Sequence, residues 1–127
     1  MQKEIIKTDK VAPPAGAYNH AVRAGNLLFL AGQVARDKEG RTVGLGDAAA
    51  QADQIMKNIG ALLEAAGATF DNIVKLNVFT TDMRYSPAVG QVRRRYMREP
   101  FPASTSVQVV ALADPELLLE IEAIAVL

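Results

Sequence analysis

The chain has 127 residues, enough for one core and short for two, so it reads as a single domain over residues 1–127. Half of the residues are hydrophobic, 22% are charged, and fourteen basic residues offset fourteen acidic ones, which leaves no chain-wide electrostatic case for nucleic acid or an anionic membrane. There are no cysteines, so disulfides, thiolate nucleophiles and cysteine-ligated metals are excluded. Met1 to Lys7 has charges scattered through it and no apolar core of the signal-peptide kind. No apolar run approaches the roughly 20 residues of a membrane span, and the cytoplasm is the expected location.

Lys3 to Thr8 alternates weakly, as an edge strand does, and Pro13, Pro14 and Gly16 mark the next segment as a loop. Ala17 to Ala24 and Leu27 to Val34 are apolar stretches joined by Gly25-Asn26. That dipeptide predicts a hairpin with both central residues at positive φ. Arg36 to Gly46 is a polar, glycine-punctuated loop, and Asp47 has the chemistry of a helix N-cap. Behind it Ala48, Ala52, Ile55, Met56, Ile59, Leu62, Leu63 and Ala66 recur at steps of three and four, a helix of about five turns stopped by Gly67.

Ile73 to Thr81 predicts a strand with Ile73, Lys75, Asn77 and Phe79 on one side and Val74, Leu76 and Val78 on the other. Ser86-Pro87 predicts an N-cap and N1 opening a second helix to about Arg98, with Gly90 a weak point inside it. Pro100-Phe101-Pro102 ends that helix. Ser104 to Leu112 and Leu117 to Leu127 alternate as strands around an Asp114-Pro115 turn. The order β-β-β-α-β-α-β-β predicts an α+β fold, one mixed sheet with two helices packed on one face. Val74, Leu76, Val78, Leu118, Ile124 and Val126 are too many apolar residues for two helices to cover, so the other face is expected to be buried by oligomerisation.

Several motifs carry a resemblance. Pro14-Ala15-Gly16-Ala17-Tyr18-Asn19-His20-Ala21-Val22, Leu28-Phe29-Leu30-Ala31-Gly32-Gln33, Val74-Lys75-Leu76-Asn77-Val78-Phe79 and Glu120-Ile121-Glu122-Ala123-Ile124-Ala125-Val126 stand in the order of the Rid family. The whole chain resembles that family of reactive-intermediate deaminases, also called YjgF-type or endoribonuclease L-PSP-like. The resemblance implies a chorismate-mutase-like fold of the bacillus type, and a homotrimer with a small-molecule cleft between neighbouring subunits. It also implies hydrolysis of enamines and imines to ketones and ammonia without metal or cofactor. Carried over residue by residue, it makes Glu120 the catalytic residue that orders the attacking water. Tyr18, Gly32 and Gln33 then shape the cleft. The family's "proline-alanine-arginine-serine" segment reads Pro102-Ala103-Ser104-Thr105 here, so Ser104 stands where an arginine grips the substrate carboxylate. Gly90 replaces a second-helix asparagine and Asn19 replaces a signature serine.

One neutral bond from a serine in place of a charged fork removes about 1.5–3 kcal/mol of anchoring, which predicts a diverged substrate. The alternative reading is a non-catalytic trimer that binds a small metabolite or a partner protein. RNA cleavage has the least support, because the charge is balanced, the aromatics are few and His20 is the only histidine. Two residues from Tyr18, His20 is expected on the same face, lining the substrate cleft. With no second histidine and no cysteine, a metal site is discounted. Arg93, Arg94 and Arg95 fan over about 200° of helix, so most of the run is read as solvated surface, with room for one or two to face a cleft.

Overall fold

The computed structural model describes residues 2–127. Six strands form one sheet: β1 (Glu4–Ile6), β2 (Ala21–Ala24), β3 (Leu27–Gln33), β4 (Ile73–Thr80), β5 (Ala103–Gln108) and β6 (Leu119–Val126). Two helices, α1 (Ala48–Ala65) and α2 (Ser86–Tyr96), complete the fold in the expected order. The strand order is β1-β2-β3-β6-β4-β5, and β4–β5 is the parallel pair in an otherwise antiparallel sheet. A mixed sheet with both helices on one side agrees with the expected α+β fold.

Local chemistry sets most boundaries where the sequence puts them. Asp47 accepts a hydrogen bond from the Ala50 amide at 3.0 Å and caps α1, and Gly67 ends it at a φ of 75°. Gly25 turns the first hairpin with a φ of 62°, but Asn26 stays at negative φ, so only the first central position is left-handed. Ser86 is the first residue of α2 and not its cap. A short 3-10 turn, Met83–Tyr85, precedes it, started by the Asp82 side chain accepting from the Arg84 amide. The strands are shorter than their apolar patterns: the first hairpin strand begins at Ala21 and β5 stops at Gln108.

The core lies between the sheet and the helices. Leu28 and Leu30 of β3, Leu76 and Val78 of β4 and Leu119, Ile121, Ala123 and Ala125 of β6 pack against Ile55, Met56, Ile59, Leu62 and Leu63 of α1 and Val89 and Val92 of α2. Each large side chain withdrawn there contributes about 1.5–3 kcal/mol relative to exposure. This corrects one expectation: Leu76 and Val78 sit under the helices, not on the open face. A bulge between Ile73 and Lys75 turns Ile73 inward and leaves Val74 outside, so strict alternation fails at the start of β4.

The open face is therefore mixed. Register rows run Ile5–Val22–Phe29–Ile124 and Ala24–Leu27–Val126 across it, with Asn77–Glu122 and Phe79–Glu120 on the β4–β6 side. Ile5, Leu27, Phe29 and Val74 remain exposed, and Val22, Phe79, Ile124 and Val126 are half-buried. Gln51, fully buried in α1, ties this framework together. Its amide donates to Gly44 O at 3.1 Å and Glu116 O at 2.9 Å, and its carbonyl accepts from Leu118 N at 2.9 Å. That last bond fixes the entry to β6, and with it the position of Glu120.

Candidate functional site

Glu120 is held by the backbone opposite it. β3 carries an irregularity between Leu30 and Gln33 where it pairs with β6, and Gly32 lies inside it. The Glu120 side chain lies against Gly32 so closely that a Cβ there would be 2.5 Å from Oε2 and 2.8 Å from Cγ. Gly32 has an ordinary negative-side φ, so the space it leaves, not its conformational freedom, is what the fold uses. Across the strand, Phe79 is the register partner of Glu120. Burial, followed by the charge of Glu122 two residues on, pushes the Glu120 carboxyl above the usual carboxylate range. Glu122 itself accepts from Asn77 Nδ2 at 3.0 Å. The site thus holds a carboxyl group with raised basicity and an oxygen edge free of intrachain hydrogen bonds among the described residues.

Gln33 and His20 brace the wall beside it. His20 Nε2 donates to the Ala12 carbonyl at 2.8 Å, which leaves Nδ1 to accept from Gln33 Nε2 at 3.1 Å. Gln33 also donates to Ala31 O at 3.1 Å. Both ring nitrogens of His20 are spent within the chain, so it positions the loop before β2 against β3. Tyr18 stacks edge-on against it, with ring centroids 5.8 Å apart at 86°, and the residue is 48% exposed. A hollow of about 160 Å³ is lined by Tyr18, His20, Gly32, Gln33, Arg36 and Asn58, and it adjoins a larger one of about 490 Å³ that shares Tyr18 and His20. Asn58, almost buried in α1, secures the far end of β3 by donating to Val34 O at 3.2 Å and Arg36 O at 3.0 Å.

Four of the six expected site residues, Tyr18, His20, Gly32 and Gln33, line one hollow, and Glu120 is linked to them by its contact with Gly32. Ser104 does not join them. It pairs in parallel register with Leu76, whose side chain is on the helix-covered face, whereas Glu120 pairs with Phe79 on the open face. Ser104 instead accepts a hydrogen bond from Arg93 Nη2 at 3.1 Å. The two share a hollow of about 270 Å³ with Gly90, Arg94, Met97, Phe101 and Pro102. Burial and the adjacent Arg94 hold the half-buried Arg93 guanidinium below its usual pKa. The fan of the arginine run left room for this contact, but the sequence carried no sign of which arginine makes it. Asn77 and Phe79, alternating on the mixed face of β4, are further lining residues whose importance only the cross-strand register reveals.

Among the described residues, no group of three or more histidine, aspartate or glutamate side chains is arranged to hold a metal ion. Among the same residues, no helix is long and apolar enough to cross a membrane. Comparison with known proteins finds relatives over nearly the whole chain. The family model described as Endoribonuclease L-PSP matches residues 9–127. A RutC family protein of Pyrococcus horikoshii is 39% identical over 123 residues, 97% of each chain. The 2-iminobutanoate/2-iminopropanoate deaminase of Homo sapiens is 33% identical over 124 residues, covering 98% of this chain and 90% of its own. The crystal structure of RidA from an Antarctic Psychrobacter superposes with a TM-score of 0.92 at 36% identity, over 98% of this chain and 99% of that one.

Proposed function

This chain belongs to the Rid family, the endoribonuclease L-PSP proteins, and from that membership we propose that it is a hydrolytic deaminase of reactive imines or enamines. The observation that carries the reading is the Glu120 carboxyl, pressed against Gly32 beside Tyr18 and raised in basicity by burial. Water is a poor nucleophile, and its attack on an imine carbon needs a group that holds it in line and accepts its proton. The carboxylate of Glu120 takes that proton as the new C–O bond forms and the C=N electrons move to nitrogen. Returned to the nitrogen, that proton gives a neutral amino alcohol; Glu120 then carries the hydroxyl proton to the same nitrogen as the C–N bond breaks, the C=O forms and ammonia leaves. One imine and one water give one ketone and one ammonia, and the glutamate ends as it began.

The split arrangement supports a cleft built from more than one chain. Glu120 and Ser104 occupy opposite faces of one sheet, so a single copy cannot bring both to one substrate. The partly apolar open face, with Phe29, Leu27 and Val74 exposed, supports a homotrimer as the assembly that closes such clefts. Ser104, with one neutral hydroxyl where relatives of the founding branch are expected to carry an arginine, supports a substrate diverged from theirs.

The test is ammonia release from 2-iminopropanoate and from neutral enamines generated in the assay, comparing the natural chain with Glu120→Gln. Turnover by the natural chain on one of them, lowered at least about a hundredfold in E120Q with the fold kept, is the expected outcome. An active E120Q would remove Glu120 from the mechanism. An inactive natural chain that still binds ligand would favour the non-catalytic binding protein.

A further inference from the structure

The hollow around Ser104 has its own chemistry. α2 ends in Arg93, Arg94 and Arg95, and Arg95 lies within the field of Asp53 on α1. Among the described residues, neither Arg93 nor Arg94 has a carboxylate within ion-pair distance. Arg93 folds back from the helix to β5, where its one hydrogen-bond partner is the neutral Ser104 hydroxyl at 3.1 Å, leaving most of its five donors unspent. Among the described residues, no acidic side chain lines the hollow. One turn earlier Gly90 leaves open space, since a Cβ there would meet no heavy atom within 4 Å. A half-buried guanidinium beside a second cation, with no counter-ion, carries desolvation and repulsion that an incoming anion would relieve.

We propose that Arg93, with Ser104 beneath it, binds the carboxylate of the substrate. The assignment deepens the deaminase reading and rests on it for the word substrate; as a carboxylate site it stands on the hollow alone. The planar guanidinium offers a carboxylate two parallel bonds. The Ser104 oxygen accepts from Arg93, which leaves its O–H to donate to the same carboxylate. Met97, Phe101 and Pro102 form an apolar wall that suits the short carbon chain of an imino acid better than a hydrated phosphate. A volume of about 270 Å³ fits a small molecule. Because the guanidinium comes from α2 and not from position 104, the carboxylate sits differently over the hollow. The selectivity should therefore shift among carboxylate-bearing substrates, without loss of the requirement for a carboxylate.

Pyruvate, the keto acid that hydrolysis of 2-iminopropanoate yields, is a stable probe. Its affinity for the full-length protein is measured by calorimetry and by the shifts of arginine side-chain resonances, against neutral pyruvamide and inorganic phosphate. Pyruvate is expected to bind at least tenfold more tightly than either, and to lose at least tenfold in Arg93→Gln. Arg93→Lys, which keeps the charge and loses the fork, should fall between. It also serves if Arg93→Gln fails to fold. Pyruvate binding unchanged in both Arg93 variants, or absent from the natural chain at about 20 mM, would overturn the assignment. Phosphate binding more tightly than pyruvate would overturn it too, in favour of a general anion site. If pyruvate binds through Arg93 while no imine is hydrolysed, the deaminase reading falls and the carboxylate site stands.

Discussion

Gly32→Ala tests the central contact of the site with the smallest perturbation available. The added Cβ would lie 2.5 Å from Glu120 Oε2, 2.6 Å from Cδ and 2.8 Å from Cγ, where ordinary contacts begin at 3.4 Å. The carboxyl group must therefore retreat by about 1 Å, a misplacement that costs on the order of a hundredfold in rate when it moves a reacting group. The backbone at Gly32 is not left-handed, so alanine adds no conformational strain there. The displaced group is also the end of a flexible side chain, and the melting temperature should stay within a few degrees of the natural chain. Ammonia release from the substrate that the natural chain turns over is the assay, with Gly32→Ala, Glu120→Gln and the double variant measured together. If the glycine acts through Glu120, the double variant is no slower than Glu120→Gln alone. Turnover by Gly32→Ala within twofold of the natural chain would refute the steric argument. Losses that multiply in the double variant would show that Gly32 acts through something other than the glutamate.

Gln51→Leu should be severely destabilising. It leaves the part-buried Leu118 amide and Glu116 carbonyl unpaired, at about 1–3 kcal/mol for each, while the Gly44 carbonyl keeps its bond from the Asp47 amide. A total of about 2–6 kcal/mol is a large part of the usual 5–15 kcal/mol, so the melting temperature should fall by roughly 5 °C or more. A shift under about 2 °C would mean that the segment at Glu116 and Leu118 relaxes to find other partners. Glu120 also sets a pH dependence. Its folded pKa is raised, so the stability it contributes is fully present below the unfolded carboxylate value of about 4.3 and is lost as pH rises through the folded value. Glu120→Gln, which cannot ionise, should match the natural chain in denaturant midpoint near pH 4 and exceed it near neutrality. Equal midpoints at both pH values would place the Glu120 carboxylate in water.

Much of this fold is legible locally because its signals are local. A helix with a 3.6-residue apolar period, an aspartate at its start and a glycine at its end can be read from consecutive residues, and α1 forms where that reading puts it. The parallel pairing of β4 with β5 and the insertion of β6 between β3 and β4 are long-range choices that no window of sequence contains. The bulge at Ile73 illustrates the cost of assuming alternation. One extra residue on one strand reversed which side of β4 the first valine takes. Ser86 has the chemistry of a cap, yet Asp82 began the turn earlier because a carboxylate four residues upstream reached the Arg84 amide first.

The site was legible in its parts and not in its geometry. Tyr18, Gly32, Gln33 and Glu120 were identifiable by resemblance, but that Gly32 exists to make room for a glutamate 88 positions later appears only when β3 and β6 pair. His20 and Arg93 turned on hydrogen bonding. The lone histidine spends both nitrogens on Ala12 and Gln33, while an arginine in a run that reads as solvated helix finds Ser104.

These last two residues bear on how such a site can change its substrate. The half that carries Glu120, the proposed water-ordering residue, is built on β3 and β6 and is over-determined: Gly32 leaves no room for a larger residue unless the glutamate moves, Gln51 fixes the strand entry, and Asn77 occupies Glu122. A change at Gln51 disturbs the framework, and a change at Gly32 displaces the glutamate. The half around Ser104 lies on an edge strand exposed along its length and on a helix with open space beside Gly90. An arginine can leave β5 and a guanidinium can return from α2 without moving a core residue. On the proposed mechanism, substrate choice therefore resides where the fold tolerates replacement, and the attacking water where it does not. With the halves on opposite faces of the sheet, a new grip can be tried on one face without disturbing the glutamate on the other.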